Sequence, residues 1–171
     1  MFIGKIAGVK FRFNIFFLFI SILYAWLGMG LEILMIVSSV LAHEIAHMIM
    51  GKVLGVKVLE IELLPFGGQA KLEDFTGLEP SREIYIALAG PLLSLSVAAT
   101  FYYLNLAEPS NFLSYLTKIN FLLGVFNLLP ALPLDGGRIL RALLSINTGF
   151  RKATHTSAIM GKILACIISG Y

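Results

Sequence analysis

The sequence predicts an all-α polytopic membrane protein: a helix bundle of five visible spans carrying a short membrane-associated β-hairpin. Of its 171 residues, 58% are hydrophobic and 13% charged, and the mean hydropathy of +0.88 lies outside the range of soluble globular domains. Its apolar stretches approach the ~20 residues needed to cross about 30 Å of hydrocarbon. Lysines and arginines gather on alternate connections, as cytoplasmic loops do. Residues 1–171 suit a single domain and are too few for a membrane core plus a sizeable soluble module.

The first span is predicted over Phe13 to Gly28. Its basic start and apolar middle are those of a signal peptide, yet no A-x-A-type site follows and a second span begins almost at once, so it is expected to be retained. The second runs from Glu32 to Leu54 and the third from Ile84 to Leu106. Gly90-Pro91 is expected to break the third, while Ala87, Ala89 and Gly90 permit close helix packing. A fourth covers Phe112 to Leu129, and a fifth runs from Ala153 to the end. That end, AIMGKILACIISGY, stops without a polar tail, which points to a truncated chain whose full-length form has a sixth span.

Lys5, Lys10 and Arg12 precede the first span. Lys52, Lys57, Lys71 and Arg82 lie between the second and third, and Arg138, Arg141, Arg151 and Lys152 between the fourth and fifth. The opposite loops, Met29 to Leu31 and Ala107 to Asn111, carry no Lys or Arg. The amino terminus and both long connections are therefore expected in the cytoplasm. The pI of 9.1 reflects this topology and implies no nucleic-acid partner. The single cysteine, Cys166, excludes an internal disulfide and suits packing.

Between the second and third spans, Leu59-Glu60-Ile61-Glu62-Leu63 alternates, Pro65-Phe66-Gly67-Gly68 supplies a turn, and Gln69-Ala70-Lys71-Leu72-Glu73 alternates again. This describes a short hairpin. Such a hairpin could simply cover the cytoplasmic end of the bundle.

The chemistry begins at His43-Glu44-Ile45-Ala46-His47, inside the apolar second span, where ionisable side chains are rare and functional by default. On a helix His43 and His47 share one face and can offer two imidazole nitrogens to one zinc ion, with Glu44 beside them. Two protein ligands need a third, and an open fourth position holds water that Glu44 can deprotonate. The extended three-histidine pattern of soluble zinc proteases is absent, because His47 is followed by neither the required glycine nor a further histidine.

Asp74, Asp135, His155 and the glutamates of the second cytoplasmic loop are the candidates for that third ligand. Asp135 stands out in Asn127-Leu-Leu-Pro-Ala-Leu-Pro-Leu-Asp135-Gly-Gly-Arg138. Pro130 and Pro133 deny the fourth span a regular end, and Gly136 and Gly137 allow close backbone approach or positive φ. Broken helices at membrane depth occur where they are buried in protein or line a cavity. The competing role for Asp135 is a helix N-cap, worth about 1 kcal/mol. Zn²⁺ with ionised Asp135 and Glu44 is neutral overall, which eases burial. His155, next to Arg151 and Lys152, suits the membrane interface better than the metal. Depth sets a condition: His43 lies about nine residues in from Lys52, roughly 13 Å at 1.5 Å per residue, and Asp135 counts out shallower. Either the proline-interrupted stretch folds inward or the second span tilts.

HEIAH in a span, LLPFGG in the next loop, ALAGP in the following span and NLLPALPLDGGRILRALL later together resemble the site-2 protease family of intramembrane zinc metalloproteases. The resemblance covers the chain from about Ser39 to Leu144. The short segment before the first span is most similar to the branch of the stage IV sporulation protein FB, and compact archaeal members are also similar. The resemblance implies that His43, His47 and Asp135 bind one Zn²⁺, that Glu44 activates the water, and that Asn127 holds the substrate or the developing oxyanion. It further implies a membrane-dipping hairpin in which Leu63, Pro65, Phe66, Gly67 and Gly68 contact substrate. The physical need is clear, since a transmembrane helix hides its amides until it is unwound, and a strand edge can capture the extended stretch. A packing role remains open for Asn127, whose amide could bond between helices.

The activity so implied is zinc-dependent cleavage of a membrane-associated protein in the bacterial cell membrane, from the cytoplasmic side. In the sporulation branch the substrate is a pro-sigma factor, the membrane that of the mother cell and forespore, and an inhibitory membrane protein a further partner. An anti-sigma factor or a signal-peptide remnant is the alternative substrate. A metal-ion transporter would place ligands on several spans with a histidine-rich loop, and three histidines in all argue against it. An inactive scaffold would have no use for Glu44.

Overall fold

The computed structural model describes residues 2–6, 9–13, 15–56, 58–64, 67–72 and 78–169, with the strand residues described by backbone alone. The elements are β1 (Phe2–Ile6), β2 (Val9–Phe13), α1 (Ile15–Trp26), α2 (Gly30–Val53), β3 (Val58–Leu64), β4 (Gly67–Leu72), α3 (Pro80–Ala107), α4 (Asn111–Asn127), α5 (Asp135–Thr148) and α6 (Phe150–Ser169).

Local chemistry sets the helix limits. Gly28, at φ 85°, turns the chain sharply between α1 and α2, a conformation side chains resist. Pro80 opens α3, where its missing N–H costs no helical bond. Ser110 caps α4 by accepting the Phe112 N–H at 3.3 Å. The sequence predicts a break at Gly90-Pro91, but α3 is one helix from end to end with Pro91 buried inside it.

Among the described residues, two helices, α2 and α3, are long and apolar enough to cross a membrane. The sequence predicts five such spans. The difference arises because α1 has only 12 residues, α4 stops after 17 at Asn127, and the basic Arg151, Lys152 and Lys162 interrupt α6. The stretch between the expected fourth and fifth spans also forms a helix of its own, α5.

The strands form one four-stranded sheet in the order β1-β2-β3-β4. β1 and β2 pair antiparallel, as do β3 and β4, and β2 joins the two pairs through a parallel ladder to β3 with Phe11 opposite Ile61. Sequence reading assigned no strand to the amino terminus, although Val9-Lys10-Phe11-Arg12-Phe13 alternates in the way strands do. Of these residues only Phe13 lies within the expected first span, and the apolar run that follows outweighs the short alternation before it.

α3 is the hub of the bundle, packed against α2, α4 and α5, while α6 packs on α5. The solvent preference is inverted relative to a soluble protein. His43, Glu44, His47, Glu83, Ser94, Asn120, Asp135 and Ser157 are buried, whereas Trp26, Val53 and Ile167 are at least 70% exposed. Lipid is the solvent that such a surface suits, and polar groups inside must then find partners within the protein. Asn120 does so by donating from Nδ2 to Ser39 Oγ at 3.0 Å and to Leu116 O at 2.9 Å, tying α4 to α2 one turn before His43.

Candidate metal centre

His43 and His47 lie one turn apart in α2, and their rings meet edge to face with Nε2 atoms 3.1 Å apart. Asp135, the first residue of α5, brings Oδ2 to 3.2 Å from His43 Nε2 and 3.1 Å from His47 Nε2. All three residues are buried. Leu134 holds the N-cap position of α5 and Asp135 is its first helical residue, with its Oδ2 turned to the histidines and away from the cap role. After Pro130 to Leu134, α5 begins with its acid against the histidines.

α3 orients both imidazoles. His47 Nδ1 donates to the Ile86 carbonyl oxygen at 2.6 Å, and His43 Nδ1 lies 2.9 Å from Ser94 Oγ. The Ile86 carbonyl can only accept, so it holds the His47 ring proton on Nδ1 and leaves Nε2 with a bare lone pair, while Ser94 Oγ fixes the orientation of the His43 ring, the usual roles of such outer partners in a metal site. Arg138, one turn into α5, reaches Asp135 Oδ1 at 3.4 Å.

Two lone pairs and a carboxylate oxygen at 3.1 to 3.2 Å repel one another unless a cation lies among them. Their spacing suits zinc, whose tetrahedral bonds of ~2.0–2.1 Å place ligand atoms about 3.3 Å apart. A cradle for the ion exists because Gly90 has no side chain: a Cβ there would stand 2.6 Å from His43 Nε2 and closer still to His47 Nε2. The donor set therefore fits a zinc ion. Glu44 is buried beside the histidines, and ligand-type atoms of His43, Glu44 and His47 all lie within 4.8 Å of one another.

The other expected positions stand apart from this cluster. Asn127 ends α4 with its Nδ2 donating to Leu123 O at 2.8 Å; it makes no described bond to the histidines or Asp135. Leu63, Gly67 and Gly68 sit at the closed end of the β3-β4 pair, whereas Pro65, Phe66 and Asp74 lie outside the described residues. His155, on α6, is not among the converging groups.

Sequence reading missed Ser94 and the Ile86 carbonyl, and gave Gly90 only a packing role. Ser94 falls one turn after Gly90, which could have marked it, but a backbone carbonyl carries no sequence signal.

Residues 31–109 and 105–169 match Peptidase family M50. The chain belongs to that family, the site-2 proteases. A zinc metalloprotease of Methanocaldococcus jannaschii is 39% identical to this M50 chain over 96% of it and 51% of the relative. Stage IV sporulation protein FB of Bacillus subtilis is 31% identical over 81% of the chain and 48% of the relative. The chain thus spans about half the length of these curated relatives. Among solved structures, the site-2 protease from Methanocaldococcus jannaschii superposes with a TM-score of 0.82 at 34% identity, covering 98% of this chain and 82% of that one. The fold is therefore that of a site-2 protease. The sporulation branch is present among the relatives, though at lower identity than the archaeal protein.

Proposed function

We propose that this M50 chain houses the catalytic centre of a zinc-dependent intramembrane endopeptidase. The observation that carries the reading is the buried triangle of His43 Nε2, His47 Nε2 and Asp135 Oδ2 with Glu44 alongside. Zinc, when bound, supplies an electrophile that acidifies water and polarises the scissile carbonyl.

The chain's own groups do the rest. Glu44 accepts a proton from the attacking water and hands it to the leaving amine, a role worth about 10²–10⁴ in rate. Ile86 O holds His47 in the tautomer that binds metal, and Ser94 Oγ holds the His43 ring in place. Arg138 holds the distal oxygen of Asp135, so that Oδ2 stays turned to the histidines. Asn127 is the proposed hydrogen-bond donor to substrate, and it would release Leu123 O to act. The β3-β4 hairpin, with Leu63, Gly67 and Gly68 at its closed end, is proposed to lie at the membrane and pair with the unwound substrate, replacing the helical bonds lost, with Pro65 and Phe66 as further proposed substrate contacts. The neighbouring packing of β4 and β3 against α2 supports this.

The substrate class is a membrane-associated protein, cleaved towards the cytoplasmic side of a bacterial membrane that the bundle crosses with its basic connections inside. Likeness to a sporulation protein supports a pro-sigma factor as that substrate, with an inhibitory membrane protein as regulator; an anti-sigma factor or a signal-peptide remnant is the alternative substrate. The deciding experiment compares the native chain with Glu44→Gln in liposomes holding a single-span protein substrate, with zinc content measured for each. Zinc in both and cleavage only by the native chain is expected; equal cleavage by the two would overturn the mechanism.

A further inference from the structure

The third proposed ligand stands on α5, a helix whose main packing is against α3 and α6 and not against α2, which carries the other two. Among the described residues, α5 packs against α3 and α6, and α2 packs against α3. Asp135 reaches His43 and His47 directly, while α3 is the helix against which both α5 and α2 pack. One face of α3 carries every connection: Ile86 and Ser94 hold the histidine rings, Gly90 leaves room before them, and one turn earlier Glu83 is 2% exposed and ion-paired with Arg141 of α5.

Arg141 lies six residues after Asp135, about 9 Å along the helix axis. Its guanidinium also stands 4.9 Å above the Phe150 ring at the start of α6, so one side chain joins three helices. The first turn of α5 is held separately. A Cβ at Gly136 or Gly137 would strike the backbone of Leu128 to Leu132, so the returning chain pins α5 at its start. A rod fixed at one end can still swing, and Arg141–Glu83 is the second fixed point.

Burying this pair is otherwise hard to justify. Charges removed from water lose several kcal/mol of solvation each, and apolar side chains of similar size often serve stability as well or better. What an ion pair adds is direction, because a guanidinium accepts a carboxylate in few orientations. We propose that Glu83 and Arg141 are positioning residues that set the axis of α5 and thereby hold Asp135 Oδ2 within metal-binding distance of the histidines. This rests on the zinc-site reading above.

The test is zinc affinity of the purified full chain, measured by chelator competition, with far-UV circular dichroism and size-exclusion profile followed alongside. Arg141→Gln and Glu83→Gln are each expected to weaken zinc binding at least tenfold, comparable with loss of outer-shell partners elsewhere, with helicity retained. Placing Arg141→Gln on an Asp135→Ala background separates positioning from general loosening. No further weakening is expected there, because the group being positioned is gone, whereas an equal further loss would overturn the proposal. The exchanged pair, Glu83→Arg with Arg141→Glu, is expected to recover part of the affinity. Native zinc affinity in both single variants would overturn the proposal and leave the zinc site standing; a native chain that binds no zinc would overturn the site and this inference together.

Discussion

Gly90 shows how much one absent side chain can decide. In the sequence it reads as a small residue for helix packing, and it does pack closely, but against the metal-facing nitrogens of His43 and His47. Gly90→Ala is therefore expected to push the imidazoles apart and cut zinc affinity at least tenfold while helicity, by circular dichroism, is unchanged. Ser94→Ala removes the partner of His43 Nδ1 and is expected to cost 10- to 100-fold in zinc affinity or turnover, the usual range for such partners; native values for both would show that His43 is oriented without it. His43, Glu44, His47 and Asp135 were legible because ionisable groups in an apolar run have few bland explanations. The Ile86 carbonyl was not legible, since every residue has one.

At the scale of elements, the proline-interrupted stretch after α4 explains its own composition. Pro130 and Pro133 stop α4, and Gly136 and Gly137 admit the returning backbone so closely that no Cβ fits. The glycines serve close approach and not positive φ, which occurs at Gly28, Gly55 and Gly149. Gly136→Ala is expected to cost about 1–3 kcal/mol as overpacking does, read as a lower melting temperature and weaker zinc binding. An unchanged melting temperature would mean that the stretch can move away from α5. The strands of the amino terminus were hidden for a local reason, because five alternating residues before a long apolar helix are outweighed by the hydropathy that follows. Of the five expected spans, two, on α2 and α3, are long and apolar enough among the described residues, because hydropathy windows see apolar residues but not where α4 ends.

For the whole molecule, the proposed ligands His43, His47 and Asp135 make metal binding and folding one equilibrium, because they come from α2 and α5 and meet in the folded bundle around α3. A ligand bound only by the native state stabilises it by about 4 kcal/mol at a thousandfold excess over its dissociation constant. Zinc-loaded chain is expected to melt at higher temperature than chelator-treated chain. That difference should vanish in Asp135→Asn and persist in Glu44→Gln, whose turnover falls by about 10²–10⁴. Loss of the thermal shift in Glu44→Gln would place Glu44 among the ligands instead of at the proton-transfer step.

By itself the sequence determined the solvent, the metal chemistry and the family, since hydropathy, i,i+4 spacing and motif order are properties of the chain read in one dimension. Only the tertiary structure brought Asp135 Oδ2 against both histidines, put the partners of the two imidazoles on α3, and paired Glu83 of α3 with Arg141 of α5. The physical reason is distance along the chain: contacts between residues separated by several helices depend on how those helices pack, and buried polar groups find partners that no local pattern announces.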